Sequence, residues 1–287
     1  MAVTGRGTAI LFCEGNRRSL DALLLGRLLT GPHRYVQPCG AKQGMAAYIE
    51  GYFSWASESE DRPPFVALRD RDFDAAPSSP PALLPTAGPK PIFMTHRSCI
   101  ESYLLAPELL RGYWAEQSRG SVWQHGDAPS EGELVTWIAE AARSIAEYQA
   151  VRWALADLRP GSRWPAVPSR WTESDGDLPG DLTFDGCLAE GSQLVDDYLR
   201  ASGGISPPAL AERAEGHRAL FLAEAFYDER GWEVWFHGKD LRKAMQRARP
   251  DGFSLKAFCE WAAGRIEWEA YTDLSELVER VKAVFDG

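Results

Sequence analysis

AILFCEG, residues 9–15, sets five apolar side chains in a row and then turns polar at Glu14-Gly15. A continuous apolar run of this length reads as a strand buried on both faces, the kind found in parallel sheets covered by helices. Residues 19–29 follow with Leu20, Leu23, Leu24 and Leu28 at helical spacing, so the chain opens as strand, loop and helix. Outward from there, 35–39 reads as a second strand, 40–44 as a glycine-flanked turn and 45–56 as a second helix. FVAL at 65–68 makes a third strand and runs directly into Arg69-Asp70-Arg71-Asp72-Phe73-Asp74. This alternation implies a parallel sheet flanked by helices. Six prolines between 75 and 91 predict a loop, 92–95 a fourth strand, and 98–110 a helix with Glu101 in its first turn.

Beyond this point helical periodicity takes over. Leu134, Trp137, Ile138, Ala141 and Ile145 mark a long amphipathic helix over 131–158, and 159–186 is rich in Pro, Gly, Asp and Trp and reads as a long loop. Helices are expected at 188–200, 208–226, 239–249, 254–268 and 273–285, with WEVWF at 232–236 as a strand. The expected fold is therefore α/β, with the sheet core in 1–111 and a mainly helical region in 112–287, of which 232–249 returns to the core.

With 287 residues, 45% of them apolar and 11% aromatic, the chain can bury a substantial core, which excludes global disorder. The five cysteines lie far apart, so neither a disulfide framework nor a cysteine zinc site is expected, and a reducing cytoplasm suits them. The apolar run at 9–13 is stopped by Glu14 well short of a membrane span. The formal charge of −10 is unusual for a protein that binds phosphate. Locally the balance reverses: HGKDLRKAMQRAR, residues 237–249, carries Lys239, Arg242, Lys243, Arg247 and Arg249 against Asp240 alone. Lys239, Lys243 and Arg247 recur every four residues and form a basic stripe on a helix, suited to nucleic acid. Neither a metal-binding histidine pair nor a G-x-x-x-x-G-K-[ST] phosphate loop occurs, which argues against a zinc hydrolase and against ATP hydrolysis by this chain.

Glu14 follows the first strand, and Asp70 and Asp72 follow the third. Groups at the carboxyl ends of parallel strands line the ligand crevice, so these three carboxylates are expected to converge. Oxygen-only donors suit Mg²⁺, with Mn²⁺ as a substitute, and such an ion supports phosphodiester cleavage. The order strand-Glu-Gly, helix, strand-Gly-x-Lys, helix, strand-D-x-D resembles the TOPRIM domain of topoisomerases, primases and OLD-type nucleases. The resemblance is closest to the DUF4435 branch, which functions in bacterial antiphage defence. It rests on FCEG (12–15), CGAKQG (39–44), VALRDRDFD (66–74), THRSCIESYLL (95–105) and FHGKDL (236–241).

The resemblance implies an endonuclease acting on DNA or RNA, tRNA included, with Glu14, Asp70 and Asp72 as metal-binding and catalytic carboxylates and Glu101 as an accessory acid. Lys42 and Lys239 are candidates for phosphate contact, joined by Arg242, Lys243 and Arg247. Asp21, Asp74 and His96 stand near the motifs without a defined role. OLD-type systems pair this domain with an ABC-type ATPase, here a separate protein, and an active homo-oligomer is a further expectation. The competing reading is a TOPRIM-like module that scaffolds an ATPase without cutting.

Overall fold

The computed structural model describes residues 9–29, 34–54, 63–86, 88–120, 122–158, 183–203, 205–250 and 252–286. Strand and helix alternate as β1 (Ala9–Cys13), α1 (Leu20–Leu28), β2 (Arg34–Pro38), α2 (Met45–Tyr52) and β3 (Phe65–Arg69). With β4 (Leu84–Pro85) and β5 (Ile92–Met94) they build a five-stranded sheet in the order β2-β1-β3-β5-β4. Every pairing is parallel except that of β4 with β5. The expected α/β sheet flanked by helices is thus present.

Burial on both faces explains the unbroken apolar runs. Ile10, Phe12 and Ala67 pack with Ile92, Met45, Ile49 and Phe53 in one cluster. Phe12 sits at its centre, with the rings of Tyr52, Phe53 and Phe65 edge-on at 5.3, 5.8 and 5.7 Å. The alternate side chains Leu11, Val66 and Leu68 are as fully buried on the opposite face. Each such apolar side chain contributes roughly 1.5–3 kcal/mol on burial.

The helices that follow are α3 (Ile100–Leu104), α4 (Pro107–Gln117), α5 (Glu131–Asp157), α6 (Phe184–Ser202), α7 (Pro207–Phe221) and α8 (Glu224–Asp228). The chain ends with α9 (Trp232–Trp235), α10 (Gly238–Ala248), α11 (Leu255–Ala263) and α12 (Thr272–Asp286). Three local expectations are corrected. WEVW is the helix α9 rather than a strand: Trp232 and Phe236 are buried while Val234 between them is only partly so, where an alternating strand would bury all three. The helix expected over 98–110 is two helices, because Pro107 has no N–H to continue α3 and instead opens α4. The proline-rich stretch 75–91 contains β4, where Pro85 stands opposite Phe93 at the sheet edge. Most of the expected loop at 159–186 lies outside the described residues.

The chain divides into two compact units, one comprising 1–145 with 224–287 and the other 146–223. The boundary therefore falls inside α5 and not at residue 112, and the whole segment from 224 onward, not only 232–249, belongs with the sheet. The 146–223 unit buries Trp153 and Phe221 and is cross-tied by His217 to Asp157 at 2.7 Å and Arg218 to Glu147 at 3.0 Å.

In the sheet unit, α11 packs on α1, where Arg27 donates to the carbonyls of Ala263 and Ile266 at 3.3 and 3.1 Å. The start of α10 packs against α3, an approach that only glycine permits at position 238. A Cβ added there would stand 2.5 Å from the Ser102 nitrogen and 2.8 Å from the Glu101 carbonyl carbon, both backbone atoms. Gly238→Ala is therefore expected to lower stability by about 1–3 kcal/mol, read from the urea midpoint. Gly216→Ala, in α7 with open space around it, is expected to raise stability by roughly 0.5–1 kcal/mol. Equal midpoints for the two variants would contradict this packing.

Candidate metal centre

The parallel register sets Cys13 opposite Leu68, so Glu14 and Asp70 leave neighbouring strands side by side at the carboxyl edge of the sheet. The Asp70 N–H donates to Glu14 Oε1 at 3.1 Å. Gly15 turns the chain with a φ of 80°, and a Cβ there would lie 2.6 Å from that of Ser19. It also exchanges backbone hydrogen bonds of 2.8 and 3.0 Å with Gly40, tying the ends of β1 and β2 together. Ser19 caps α1 by accepting from the Ala22 N–H at 3.3 Å, and its hydroxyl donates to the Glu14 carbonyl at 3.3 Å. The first turn of α1 is thereby held over the sheet edge and brings Asp21 with it.

Glu14, Asp21, Asp70 and Glu101 line one open pocket of about 410 Å³, together with Arg18, Lys239, Arg242, Lys256 and Glu260. Asp70 Oδ1 accepts from the Ile100 N–H at 3.0 Å, and one ligand atom each of Asp70, Cys99 and Glu101 lie within 4.8 Å of one another. Lys239 Nζ reaches 3.8 Å from Asp70 Oδ2 and 4.0 Å from Glu101 Oε2.

Burial and crowding raise the acids. The Glu14 carboxyl is pushed up to about 7 by loss of solvent and then by repulsion from Asp72 and Asp21. Asp21 is pushed up to about 6, first by burial, with the neighbouring Glu101 and Asp72 adding to it. Asp70 is driven well above the carboxylate range by burial and by Asp21, Asp72 and Glu14. The Cys99 thiol, fully buried beside Glu101 and Asp70, is held in its protonated form for the same reasons.

Asp72 has the opposite environment. Burial works upward on its carboxyl, but hydrogen bonds from His237 and Lys42 outweigh it and hold the group well below the usual range. His237 Nε2 lies 3.0 Å from Asp72 Oδ1, its ring stacked on Phe73 at 5.7 Å, and Lys42 closes on the other oxygen. Lys42 also meets Asp74 at 3.1 Å, and Asp74 meets Arg69 at 2.7 Å. Asp72 itself sits beyond the end of β3 with a φ of 49°, not in extended backbone. Arg71 turns inward, donating to the carbonyls of His96 at 3.0 Å and Val234 at 2.7 Å.

Of the residues singled out in the sequence, Glu14, Asp70, Glu101, Lys239 and Arg242 share the pocket. Asp72 and Lys42 form an ion pair beside it, and Lys243 and Arg247 stand exposed on α10. His96 is buried elsewhere, its N–H donating to Asp273 at 2.8 Å and its Nδ1 3.2 Å from the Ser78 hydroxyl. Asp21, Cys99, His237, Arg18 and Lys256 belong to this region without having been assigned a role from sequence. His237 had a signal, its place in FHGKDL; Lys256 had none, since only the packing of α11 brings it here. Neither a family model nor any curated protein matches this chain.

The donor set fits a hard divalent cation: clustered carboxylate oxygens, kept from ionising together by burial and mutual repulsion, are what an Mg²⁺ or Mn²⁺ ion stabilises in ionised form. The sign of the pH effect follows. A Glu14 raised from 4.5 to about 7 keeps its proton longer in the folded chain than in the unfolded one, so its contribution to stability falls as pH rises through that window. In EDTA the melting temperature is expected to drop between pH 5 and pH 8, and Mg²⁺ to raise it more at pH 8 than at pH 5. Glu14→Gln should flatten the drop. A Mg²⁺ response independent of pH would argue against the pocket as the ion's site.

Proposed function

We propose that this chain is a Mg²⁺-dependent nuclease that hydrolyses phosphodiester bonds of DNA or RNA. The observation that carries the reading is the convergence of Glu14, Asp21, Asp70 and Glu101 on one pocket rimmed by Arg18, Lys239, Arg242 and Lys256. Acids to hold a cation and bases to hold phosphate therefore stand within one opening. The four carboxylates would hold the ion, with Asp72 joining them only by releasing Lys42 and His237. A bound Mg²⁺ supplies charge for the developing oxyanion and lowers the pKa of a water. Without the ion the Glu14 carboxyl is pushed up to about 7, and a bound cation would favour the ionised form that a ligand requires. Lys239 and Arg242 orient phosphate, and the exposed Lys243 and Arg247 extend the basic track along α10. Control by a separate ATPase is part of the reading, in keeping with the missing phosphate loop.

One observation favours the alternative of a non-cutting module that scaffolds an ATPase: the Asp72 carboxylate is engaged by Lys42 and His237. Purified protein incubated with plasmid, linear duplex and total tRNA in Mg²⁺, Mn²⁺ or EDTA, with and without a candidate ATPase, separates the two. Cutting that requires metal is expected, with Glu14→Gln and Asp70→Asn each lowering its rate about 100-fold or more while melting stays cooperative. Full activity in both variants would end the assignment. Lys243→Glu with Arg247→Glu should weaken binding and flatten its dependence on salt, the slope falling by about 0.9 for each duplex phosphate that is no longer neutralised. Unchanged affinity would leave these two as a solvated face.

A further inference from the structure

Arg17 and Arg18 are adjacent but line different openings. Arg18 lines the acidic pocket, whereas Arg17 lines a second one of about 460 Å³ on the β2 edge of the sheet, together with Tyr35, Gln37, Pro38 and Tyr52. The turn between β1 and α1 separates the two, and the Arg18 N–H donates to Asn16 Oδ1 at 2.8 Å within it. Tyr35 and Tyr52 are the aromatic residues that line the second opening. Tyr35 is 48% exposed, and Tyr48, 38% exposed, stacks on Tyr52 with ring centroids 6.3 Å apart and planes 29° apart. Gln37 is aimed along this surface, its amide donating to the Tyr48 hydroxyl at 2.9 Å. Tyr35 is not part of the buried cluster that Cys39, just beyond β2, forms with Met45 and Ile49 of α2.

We infer that this shelf is a subsite for an unpaired nucleobase, so that the chain takes single-stranded or locally opened nucleic acid with a base stacked on Tyr35 and Tyr52 while the backbone passes Arg17 and Arg18 toward the acidic pocket. The inference rests on the hydrolytic reading and deepens it by naming the substrate class. Aromatic rings beside a cation suit a base plane and its phosphate, and stacking of this kind tolerates any base. Arg17 and Arg18, consecutive in the chain but each facing one opening, offer successive cations to a single backbone that rounds the turn between them. An added peptide strand, the other usual occupant of a sheet edge, needs an uninterrupted row of N–H groups, and Pro38 in β2 supplies none.

The test uses the full chain in EDTA, where nothing is cut. Fluorescein-labelled six-nucleotide oligothymidylate and a blunt hairpin duplex are titrated by anisotropy against wild type, Tyr35→Ala, Tyr35→Phe and Arg17→Ala. Expected is a loss of oligothymidylate affinity of about five-fold or more in Tyr35→Ala, with Tyr35→Phe close to wild type and hairpin binding unaffected. An iodouridine-substituted oligonucleotide should crosslink to Tyr35 or Tyr52. Equal oligothymidylate affinity in wild type and Tyr35→Ala, no binding of that probe, an equal loss on both probes, or crosslinks confined to other segments would each overturn the proposal. Because binding is read without metal, a failed hydrolytic reading shows separately, as intact oligonucleotide binding with no cutting when Mg²⁺ is restored.

Discussion

Four carboxylates brought to one edge of a buried sheet repel one another, and much of the architecture around them manages that repulsion. Two of them, Glu14 and Asp70, are forced together by the pairing of β1 with β3, since the same apolar runs that bury the sheet end at the same level. Water screens them poorly, since Asp70 is buried and Glu14 partly so. The molecule answers with opposite charge from several directions: Lys42 from the turn after β2, Lys239 from the start of α10, and Arg18, Arg242 and Lys256 around the rim. Where burial and like charge outweigh that compensation the acid is pushed toward its neutral form, as Asp70 is despite Lys239 at 3.8 Å.

The two aspartates of the D-x-D motif divide these roles. Asp70 takes a hydrogen bond from backbone, at Ile100, and is held toward its neutral form by burial and by Asp21, Asp72 and Glu14. Asp72, two residues on, takes them from His237 and Lys42 and stays ionised. The difference comes from the end of β3: the chain leaves the extended conformation after Arg69, Arg71 is drawn inward, and Asp72 turns toward β2 and α10. Two carboxylates of one motif thus act on opposite sides of the proton balance, a separation that acid–base chemistry uses widely.

How much of this could be read from the chain depends on whether the cause is local. The runs at 9–13 and 65–68 announced their burial, and the polar residues that end them marked Glu14 and Asp70, because strand and turn chemistry lie within a few positions. WEVWF was ambiguous because five bulky residues satisfy either period, and the burial of Trp232 and Phe236 with Val234 only partly buried decides for a helix. Asp21 was obscured for another reason. Its closeness to Asp70 depends on the glycine pairing at 15 and 40 and on the cap at Ser19, which fix the angle of α1 on the sheet. Lys256 reaches the rim through the packing of α11 alone, which leaves no periodic trace.

Gly238 brings the start of α10 onto α3, and so places His237 and Lys239 among acids made far earlier in the chain. His237 is 165 positions beyond Asp72. At ribosomal rates this is a delay on the order of ten seconds or more, during which the strands exist and their late counter-charges do not. The emerging sheet can pair β1, β2 and β3, but its acidic edge must stay hydrated, or borrow ions from its surroundings, until α10 and α11 leave the ribosome. Full neutralisation of the sheet edge, begun by Lys42 and Arg18, thus waits on segments made long after the acids they serve.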